Sequence, residues 1–306
     1  MKPGDTIGLV TPGSPVSQEQ LSQSIEKIEA LGFRVVYTDS VLDEYGYFAG
    51  RDEDRAAELM QMYEDDAVDA IWCVRGGYGC IRILDHLNYA SIRSHPKLLI
   101  GYSDITAILN AQLQHAGLVG LHGPLGISDF NAFTLRSLTR LTMKGVENYG
   151  YPYKREKDSR TKPEFDHYVI CKGEAEGLLV GGNISVLDSM IGSAFEPDFR
   201  GKIVFLEEIE ERTYRVDRML FHLLSSTSLP DAAGIVLGVF ADCNINDKPS
   251  LSLKVALHDL LAPLNIPVAY GFPFGHIDRQ VSLPLGIRAR FDAGRKKLEL
   301  LEAAVR

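Results

Sequence analysis

A serine and an aspartate stand where a predicted strand gives way to a predicted helix. The apolar residues 98–100 indicate a strand, and apolar side chains at helical spacing from Ile105 to Leu113 indicate a helix. A serine hydroxyl at such a junction, here Ser103, projects above the sheet edge, and the next amide, that of Asp104, can stabilise an oxyanion. Either side chain could instead cap the helix. Ile105 replaces the second glycine of G-x-S-x-G, so the α/β-hydrolase fingerprint is absent.

A nucleophilic serine needs a base, usually a histidine, and the sequence contains eight histidines. Those within or beside helical patterns are less suited to catalysis: His86, His95, His115, His222 and His258. His167 lies in a segment with the composition of a linker. His122 and His276 remain, each beside a glycine in a loop after an apolar run. His276 follows the clearer strand, residues 268–271, and is the better candidate for the base.

A carboxylate that orients the base is expected near the end of another strand. The apolar residues 203–206 predict a strand that leads directly into Glu207 and Glu208. This position would place a carboxylate at the carboxyl end of the strand. The pair could equally be a solvated strand terminus, which is the interpretation that we favour for Glu208.

A glycine-rich segment follows the predicted strand 70–74. Residues 75–79, here called the glycine loop, read Arg-Gly-Gly-Tyr-Gly. Neither the dinucleotide fingerprint G-x-G-x-x-G nor the P-loop pattern G-x-x-x-x-G-K-[ST] occurs in the chain. Backbone N–H groups unscreened by side chains lie here at a strand's carboxyl end, where open α/β sheets bind ligands. The segment predicts either an anion-binding loop or a simple tight turn.

The elements that must position these residues indicate two domains. The first 120 residues alternate short apolar runs with helical patterns, a β-α unit repeated at least four times. Residues 147–173 show little periodicity, as expected for a linker. We predict an α/β fold: a Rossmann-like parallel sheet flanked by helices over residues 1–150, a linker at 151–172, and a smaller α/β domain of mixed strands at 173–306.

Composition and charge exclude several classes of function. The 306 residues carry 32 Lys and Arg against 41 Asp and Glu, a net charge of −9, so nucleic acid is not an expected partner. The longest apolar run, residues 235–241, is far shorter than the ~20 residues that cross a bilayer, so no membrane association is expected. The four cysteines lack metal-ligand spacing, and we expect no metal and no other cofactor. The N-terminal residues show no signal-peptide pattern, which predicts a cytoplasmic protein.

Four motifs together resemble the LD-carboxypeptidase family of serine peptidases, a group that contains murein tetrapeptide carboxypeptidases and microcin C self-immunity proteins. They are residues 75–79, 101–104, 205–208 and 275–276. Supporting stretches are residues 48–50 with Asp52 and Arg55, 122–124, 181–183, 214–218 and 283–286. The resemblance covers nearly the whole chain. It implies a cytoplasmic, cofactor-free hydrolase of two domains, usually a homodimer, that removes the terminal D-alanine from murein tetrapeptides during cell-wall recycling.

The resemblance also implies roles for five residues. Ser103 would be the nucleophile, His276 the general base and then the general acid, and Glu207 the group that orients His276. The backbone amides of Gly77 and Asp104 would form the oxyanion hole. Because the nucleophile belongs to the first domain and its two partners to the second, the resemblance places the active site in the cleft between the domains.

Two residues and two alternative functions stay open at the level of sequence. Arg75 could meet an anionic group of the substrate or only anchor the glycine loop. Gln280 stands where many relatives have asparagine, which bears on substrate preference. Within the family, the alternative is a microcin C self-immunity type amidase acting on aminoacyl-sulfamoyl nucleotides, but no extra segment between residues 129 and 173 would grip a nucleotide. From another class, a two-lobed small-molecule binding protein would share this architecture.

Overall fold

The structure is a computed structural model that describes residues 1–151, 163–244 and 249–305. Its strands are β1 (Thr6–Val10), β2 (Arg34–Val36), β3 (Ala70–Cys73), β4 (Leu98–Gly101), β5 (Gly120–His122), β6 (Tyr168–Cys171), β7 (Glu174–Asn183), β8 (Ile203–Ile209), β9 (Gly234–Ala241), β10 (Val268–Tyr270), β11 (Leu283–Leu285), β12 (Arg288–Asp292) and β13 (Lys297–Leu300). Its helices are α1 (Gln18–Glu29), α2 (Asp52–Glu64), α3 (Cys80–Ile83), α4 (Tyr89–Ser94), α5 (Thr106–Ala116), α6 (Ala132–Thr142), α7 (Ile184–Ser189), α8 (Thr213–Ser226) and α9 (Leu253–Leu261). None of the helices in these described ranges is long and apolar enough to span a membrane.

The chain divides into two compact units. The first unit comprises Met1–Gly145, Ser282–Gly286 and the end of the chain from Ala304. The second comprises Val146–Val281 and Ile287–Ala303. The chain therefore returns from the second unit to contribute β11 to the first, a crossing that the division at residues 150 and 173 does not include.

The first unit contains a sheet with the strand order β11-β5-β4-β3-β1-β2. Its strands pair in parallel from β5 to β2, and β11 runs antiparallel to β5. β1 and β3 are buried along their whole length, as expected for central strands of a parallel sheet. Because these strands are parallel, the loops that follow β1, β3 and β4 meet at one edge of the sheet. The predicted Rossmann-like N-terminal sheet is confirmed.

The second unit contains a mixed sheet with the strand order β13-β12-β7-β8-β9-β10-β6. The four central strands β7, β8, β9 and β10 are parallel, and the flanking strands are antiparallel. The carboxyl ends of β8 and β10 therefore lie at the same edge of this sheet. This arrangement confirms the expected α/β domain of mixed strands.

Three features of the second half differ from the expectation. Tyr168–Cys171, placed in the predicted linker, forms β6 and pairs with β10 at the sheet margin, while residues 152–162 of that linker lie outside the described residues. Among the described residues, the second sheet has seven strands against six in the first, although the second domain was expected to be the smaller one. The additional strands β12 and β13 form a hairpin with alternating burial. Both strands are short and rich in charged residues, so their apolar alternation is hard to recognise in the sequence.

Candidate active site

Ser103 follows β4 in a backbone conformation that residues other than glycine seldom adopt. Its φ is 65°, in the left-handed region. Such a conformation costs about 1–3 kcal/mol and concentrates at functional sites. The 3₁₀ turn Ser103–Ile105 and the following α5 both begin without a side-chain cap, so neither Ser103 nor Asp104 caps this helix. The helix-cap interpretation is wrong, and the strained turn instead presents a half-buried serine.

The glycine loop lies directly against this serine. A Cβ atom on Gly76 would stand 3.1 Å from Cβ of Ser103 and 3.3 Å from the nitrogen of Asp104. Gly77 has a φ of 86°, and a Cβ atom there would stand 2.3 Å from Oγ of Ser14. Both positions need glycine, the first for close approach and the second also for its left-handed backbone.

Ser14, in the loop formed by residues 11–15 after β1 (the β1 loop), holds the glycine loop with two hydrogen bonds. Its amide donates to the carbonyl oxygen of Gly76 at 2.9 Å, and its hydroxyl oxygen accepts from the amide of Tyr78 at 3.1 Å. The amide of Gly77, between these two anchored groups, donates no hydrogen bond within the described residues, and neither does the amide of Asp104. Both amides are thus available to an anionic oxygen.

The Asp104 side chain joins the turn at Ser103–Ile105 to the end of the glycine loop. Its Oδ2 accepts a hydrogen bond of 2.8 Å from the amide of Cys80, the first residue of α3. The carboxyl group is almost completely buried, and burial raises its pKa above the usual value, although the Cys80 amide and the positive charge of Arg55 act in the opposite direction. Asp104 therefore contributes a structural carboxylate as well as a backbone amide.

The structure gives one contact of Arg75 and the burial of Gln280. The roles of both residues toward a substrate stay predictions. The Arg75 guanidinium donates from Nη1 to the carbonyl oxygen of Pro15 at 2.7 Å, which anchors the glycine loop to the β1 loop. Gln280 is only 3% exposed. The observed contact of Arg75 is the anchoring one of the two alternatives raised by the sequence.

His122 is the second histidine that the sequence left as a candidate base. The sequence predicts that His122 lies in a loop. The structure instead makes it the last residue of β5, where it is fully buried. Its ring packs edge-on against Tyr102, with 5.7 Å between the ring centroids. The run of residues 120–122 is too short and too rich in non-apolar residues to predict a strand, which explains the error.

In the second unit, β8 and the loop after β10 bring a carboxylate and an imidazole together. Nδ1 of His276 lies 2.8 Å from Oε2 of Glu207, and the Glu207 side chain is fully buried. Gly275 has a φ of 111°, and a Cβ atom there would stand 2.9 Å from the carbonyl oxygen of Val239 and 3.1 Å from Glu207. A glycine before the histidine thus lets its loop pass close to the sheet. A hydrogen bond at Nδ1 leaves Nε2 as the proton-accepting nitrogen of the neutral ring.

The surroundings of His276 favour its protonated form. Burial lowers the pKa of the imidazole, but the charge and hydrogen bond of Glu207, with the charges of Glu208 and Glu210, outweigh burial and raise the pKa above 6.5. An ion pair of this kind stabilises the imidazolium that forms when the ring takes a proton.

We expect the NMR titration of His276 to show a pKa above 6.5 in the wild-type protein. Glu207→Gln removes the largest of the effects that raise the pKa and leaves burial, which lowers it, so the pKa should fall from its wild-type value. An unchanged His276 titration in Glu207→Gln would show that the two side chains are not electrostatically coupled.

Glu208 corrects a further expectation, because it is not a solvated strand terminus. It is 2% exposed, and β8 continues through it to Ile209. Its carboxylate accepts hydrogen bonds from the side chain of Asn183 at 2.9 Å, from the amide and hydroxyl of Ser185 at 2.8 and 2.6 Å, and from the amide of Ile209. Glu208 therefore ties β8 to the start of α7.

Comparisons with known proteins agree with the motifs. Residues 7–123 match the family model for the LD-carboxypeptidase N-terminal domain, and residues 176–291 match the model for the LD-carboxypeptidase C-terminal domain. The chain is 37% identical over 304 residues to the probable murein peptide carboxypeptidase of Bacillus subtilis, a match that covers 99% of this chain and 93% of that protein.

The chain is also similar to a carboxypeptidase of known structure and to a microcin self-immunity protein. The crystal structure of muramoyltetrapeptide carboxypeptidase from Oxalobacter formigenes superposes with a TM-score of 0.82 and 32% sequence identity, covering 96% of this chain and 97% of that one. The microcin C7 self-immunity protein MccF of Escherichia coli is 26% identical over 325 residues, covering 98% of this chain and 94% of that protein.

Proposed function

Because the chain belongs to the LD-carboxypeptidase family, we propose that it is a serine carboxypeptidase that hydrolyses the bond between an L-centre, diaminopimelate or lysine, and the terminal D-alanine of murein tetrapeptides. The observation that carries the reaction type is the hydrogen-bonded pair of Glu207 and His276, a buried carboxylate that orients an imidazole. The substrate class is supported by the names of the relatives that match the chain over nearly its full length.

The proposed mechanism assigns one role to each side chain. Oγ of Ser103 attacks the carbonyl carbon of the bond to D-alanine, and Nε2 of His276 takes the hydroxyl proton. Glu207 stays ionised and stabilises the imidazolium, which then donates its proton to the departing amine of D-alanine. A water molecule, deprotonated by the same imidazole, attacks the acyl carbon; the ester bond to Oγ of Ser103 then breaks, the imidazolium returns its proton to Oγ, and the tripeptide is released.

The oxyanion of each tetrahedral intermediate is assigned to the amides of Gly77 and Asp104. Support comes from the close approach of Gly76 to Ser103 and from the two amides, which have no other acceptor among the described residues. The β1 loop and Asp104 fix the glycine loop on both sides, so these donors need little reorganisation during the reaction. This arrangement favours an enzyme over the two-lobed binding protein.

The amidase that acts on aminoacyl-sulfamoyl nucleotides is the second candidate, and the similarity to MccF is the observation that favours it. The identity is 26% for MccF against 37% for the murein carboxypeptidase relative. The murein peptide is therefore the preferred substrate of the proposal.

Mass spectrometry of the products from a murein tetrapeptide tests the proposed function. We expect loss of one D-alanine, and no loss of alanine from a matched peptide that ends in L-alanine. Glutamyl sulfamoyl adenosine in a parallel reaction gives the second candidate a direct comparison of kcat/KM. A higher kcat/KM for the sulfamoyl compound, or no release of D-alanine, would contradict the proposal.

The family resemblance also supports a cytoplasmic location and a homodimer, and we include both in the proposal. Light scattering of the purified chain measures its mass in solution, and fractionation of cells measures its location. A monomer at micromolar concentration, or recovery outside the cytoplasmic fraction, would contradict these two points separately from the activity.

A further inference from the structure

Arg55, on α2, has a guanidinium group that is completely buried and bonded to two loops of the first unit. Nη1 donates to the carbonyl oxygen of Pro12 in the β1 loop and, at 3.1 Å, to the carbonyl oxygen of Gly79 at the end of the glycine loop. Nη2 forms an ion pair with Asp52, one turn earlier on the same helix. A single side chain thus links the β1 loop to the end of the glycine loop, which contains the proposed oxyanion donor Gly77.

The local sequence is adapted to this contact. Gly79 has a φ of 126°, and a Cβ atom there would stand 2.9 Å from Nη1 of Arg55 and 2.7 Å from Phe48. The guanidinium also lies over the Phe48 ring, 5.0 Å from its centroid. Burying a guanidinium is costly unless its donors are paired, so a buried arginine that spans two loop carbonyls points to a positional requirement.

The path from Arg55 to the proposed oxyanion site is short. The β1 loop that Arg55 holds at Pro12 is the loop whose Ser14 binds Gly76 and Tyr78. At the other end, Gly79 precedes Cys80, whose amide binds the Asp104 carboxylate. The Gly77 amide therefore lies in a segment fixed at both ends, and each end depends on the Arg55 guanidinium.

We propose that Arg55 is a positioning residue that holds the Gly77 amide in the orientation needed to stabilise an oxyanion. The inference rests on the proposed function, because it assumes that Gly77 donates to the developing charge. Since this charge exists only in the transition state, a displaced amide lowers kcat and leaves the binding of the uncleaved substrate largely unchanged.

The test is Arg55→Lys, which keeps a positive charge but cannot bridge two carbonyl groups while pairing with Asp52. We expect kcat for the tetrapeptide to fall about 10- to 100-fold with KM within about threefold of wild type. Affinity for a tripeptide boronate, whose serine adduct places an oxygen at the oxyanion position, should fall by about the same factor as kcat. Arg82→Lys is the matched control, since Arg82 also pairs with Asp52 but is exposed and does not bond the loop carbonyls.

A lower melting temperature with wild-type kcat in Arg55→Lys would show that Arg55 serves only the stability of the fold, and would overturn the proposal. A higher KM with wild-type kcat would also overturn it, because the residue would then act in substrate binding. If Arg55→Lys does not fold, Asp52→Asn keeps the arginine and removes its orienting carboxylate; kcat should then fall about threefold or more at constant KM, and an unchanged kcat would refute the role. Absence of turnover in the wild-type protein refutes the proposed function itself, so the two failures are distinct.

Discussion

Ser103→Ala is expected to lower kcat for release of D-alanine from the tetrapeptide by roughly 10⁴-fold or more, because no other group can form the acyl-enzyme. KM should change little, since the methyl group of alanine fits in the space of the serine. The fold should persist, although alanine keeps the strain of the left-handed backbone at this position. Chromatographic assay of D-alanine together with circular dichroism of the variant checks both statements.

Ser128→Ala is the matched control for this prediction. Residues 126–129 repeat the Gly-x-Ser-Asp pattern of residues 101–104, but Ser128 lies in a turn where its hydroxyl accepts a hydrogen bond from the amide of Leu125 at 3.1 Å. Its kcat should stay within about twofold of wild type. If D-alanine release persists in Ser103→Ala and disappears in Ser128→Ala, the nucleophile is Ser128 and the assignment to Ser103 is wrong.

Glu207→Gln is expected to lower kcat by roughly 10³- to 10⁴-fold, because the amide can neither stabilise an imidazolium nor fix the Nδ1–H tautomer. In the wild-type protein, kcat/KM should fall on the acid side of its pH profile with an apparent pKa above 6.5, because the pKa of His276 is raised. Any residual activity of Glu207→Gln should have its acid limb at lower pH, because the charge and hydrogen bond of Glu207 no longer raise the pKa of His276. Initial rates from pH 5 to pH 9 measure both effects.

Glu208→Gln separates the two adjacent glutamates. Its carboxylate joins β8 to Asn183 and Ser185, so the substitution should lower the free energy of unfolding by about 2 kcal/mol while kcat falls less than about tenfold. Thermal unfolding and initial rates of both variants give the comparison. A larger loss of kcat in Glu208→Gln than in Glu207→Gln would reverse the assignment of the catalytic carboxylate.

The parts of the site that the sequence predicts are those encoded by local patterns. The strand-to-helix junction at Ser103 follows from the change of apolar periodicity between residues 98–100 and α5. The structure places Nδ1 of His276 2.8 Å from Oε2 of Glu207, as the resemblance implies, and the catalytic roles of the two side chains stay predictions. The assignments of Ser103, Gly77 and Asp104 as nucleophile and oxyanion donors stay predictions.

The parts that the sequence does not predict depend on contacts between distant segments. Glu207 and Glu208 have the same local pattern, and only their hydrogen-bond partners, which come from distant segments, distinguish them. Ser14 carries no signal beyond a Ser-Pro pair after a strand, since its partners Gly76 and Tyr78 lie about 60 residues later. The return of the chain to form β11 is likewise set by its pairing with β5 and not by local sequence.

Trapping the acyl-enzyme tests the central claim, that Ser103 carries out acyl transfer, most directly. A depsipeptide with D-lactate in place of the terminal D-alanine acylates a serine readily, so hydrolysis of the acyl-enzyme becomes the slow step. After acid quenching and trypsin digestion, we expect the peptide that spans residues 98–136 to gain the mass of the tripeptide acyl group at Ser103, and no such adduct in Ser103→Ala. Release of D-lactate without any adduct, or an adduct that persists in Ser103→Ala, would contradict a mechanism through Ser103.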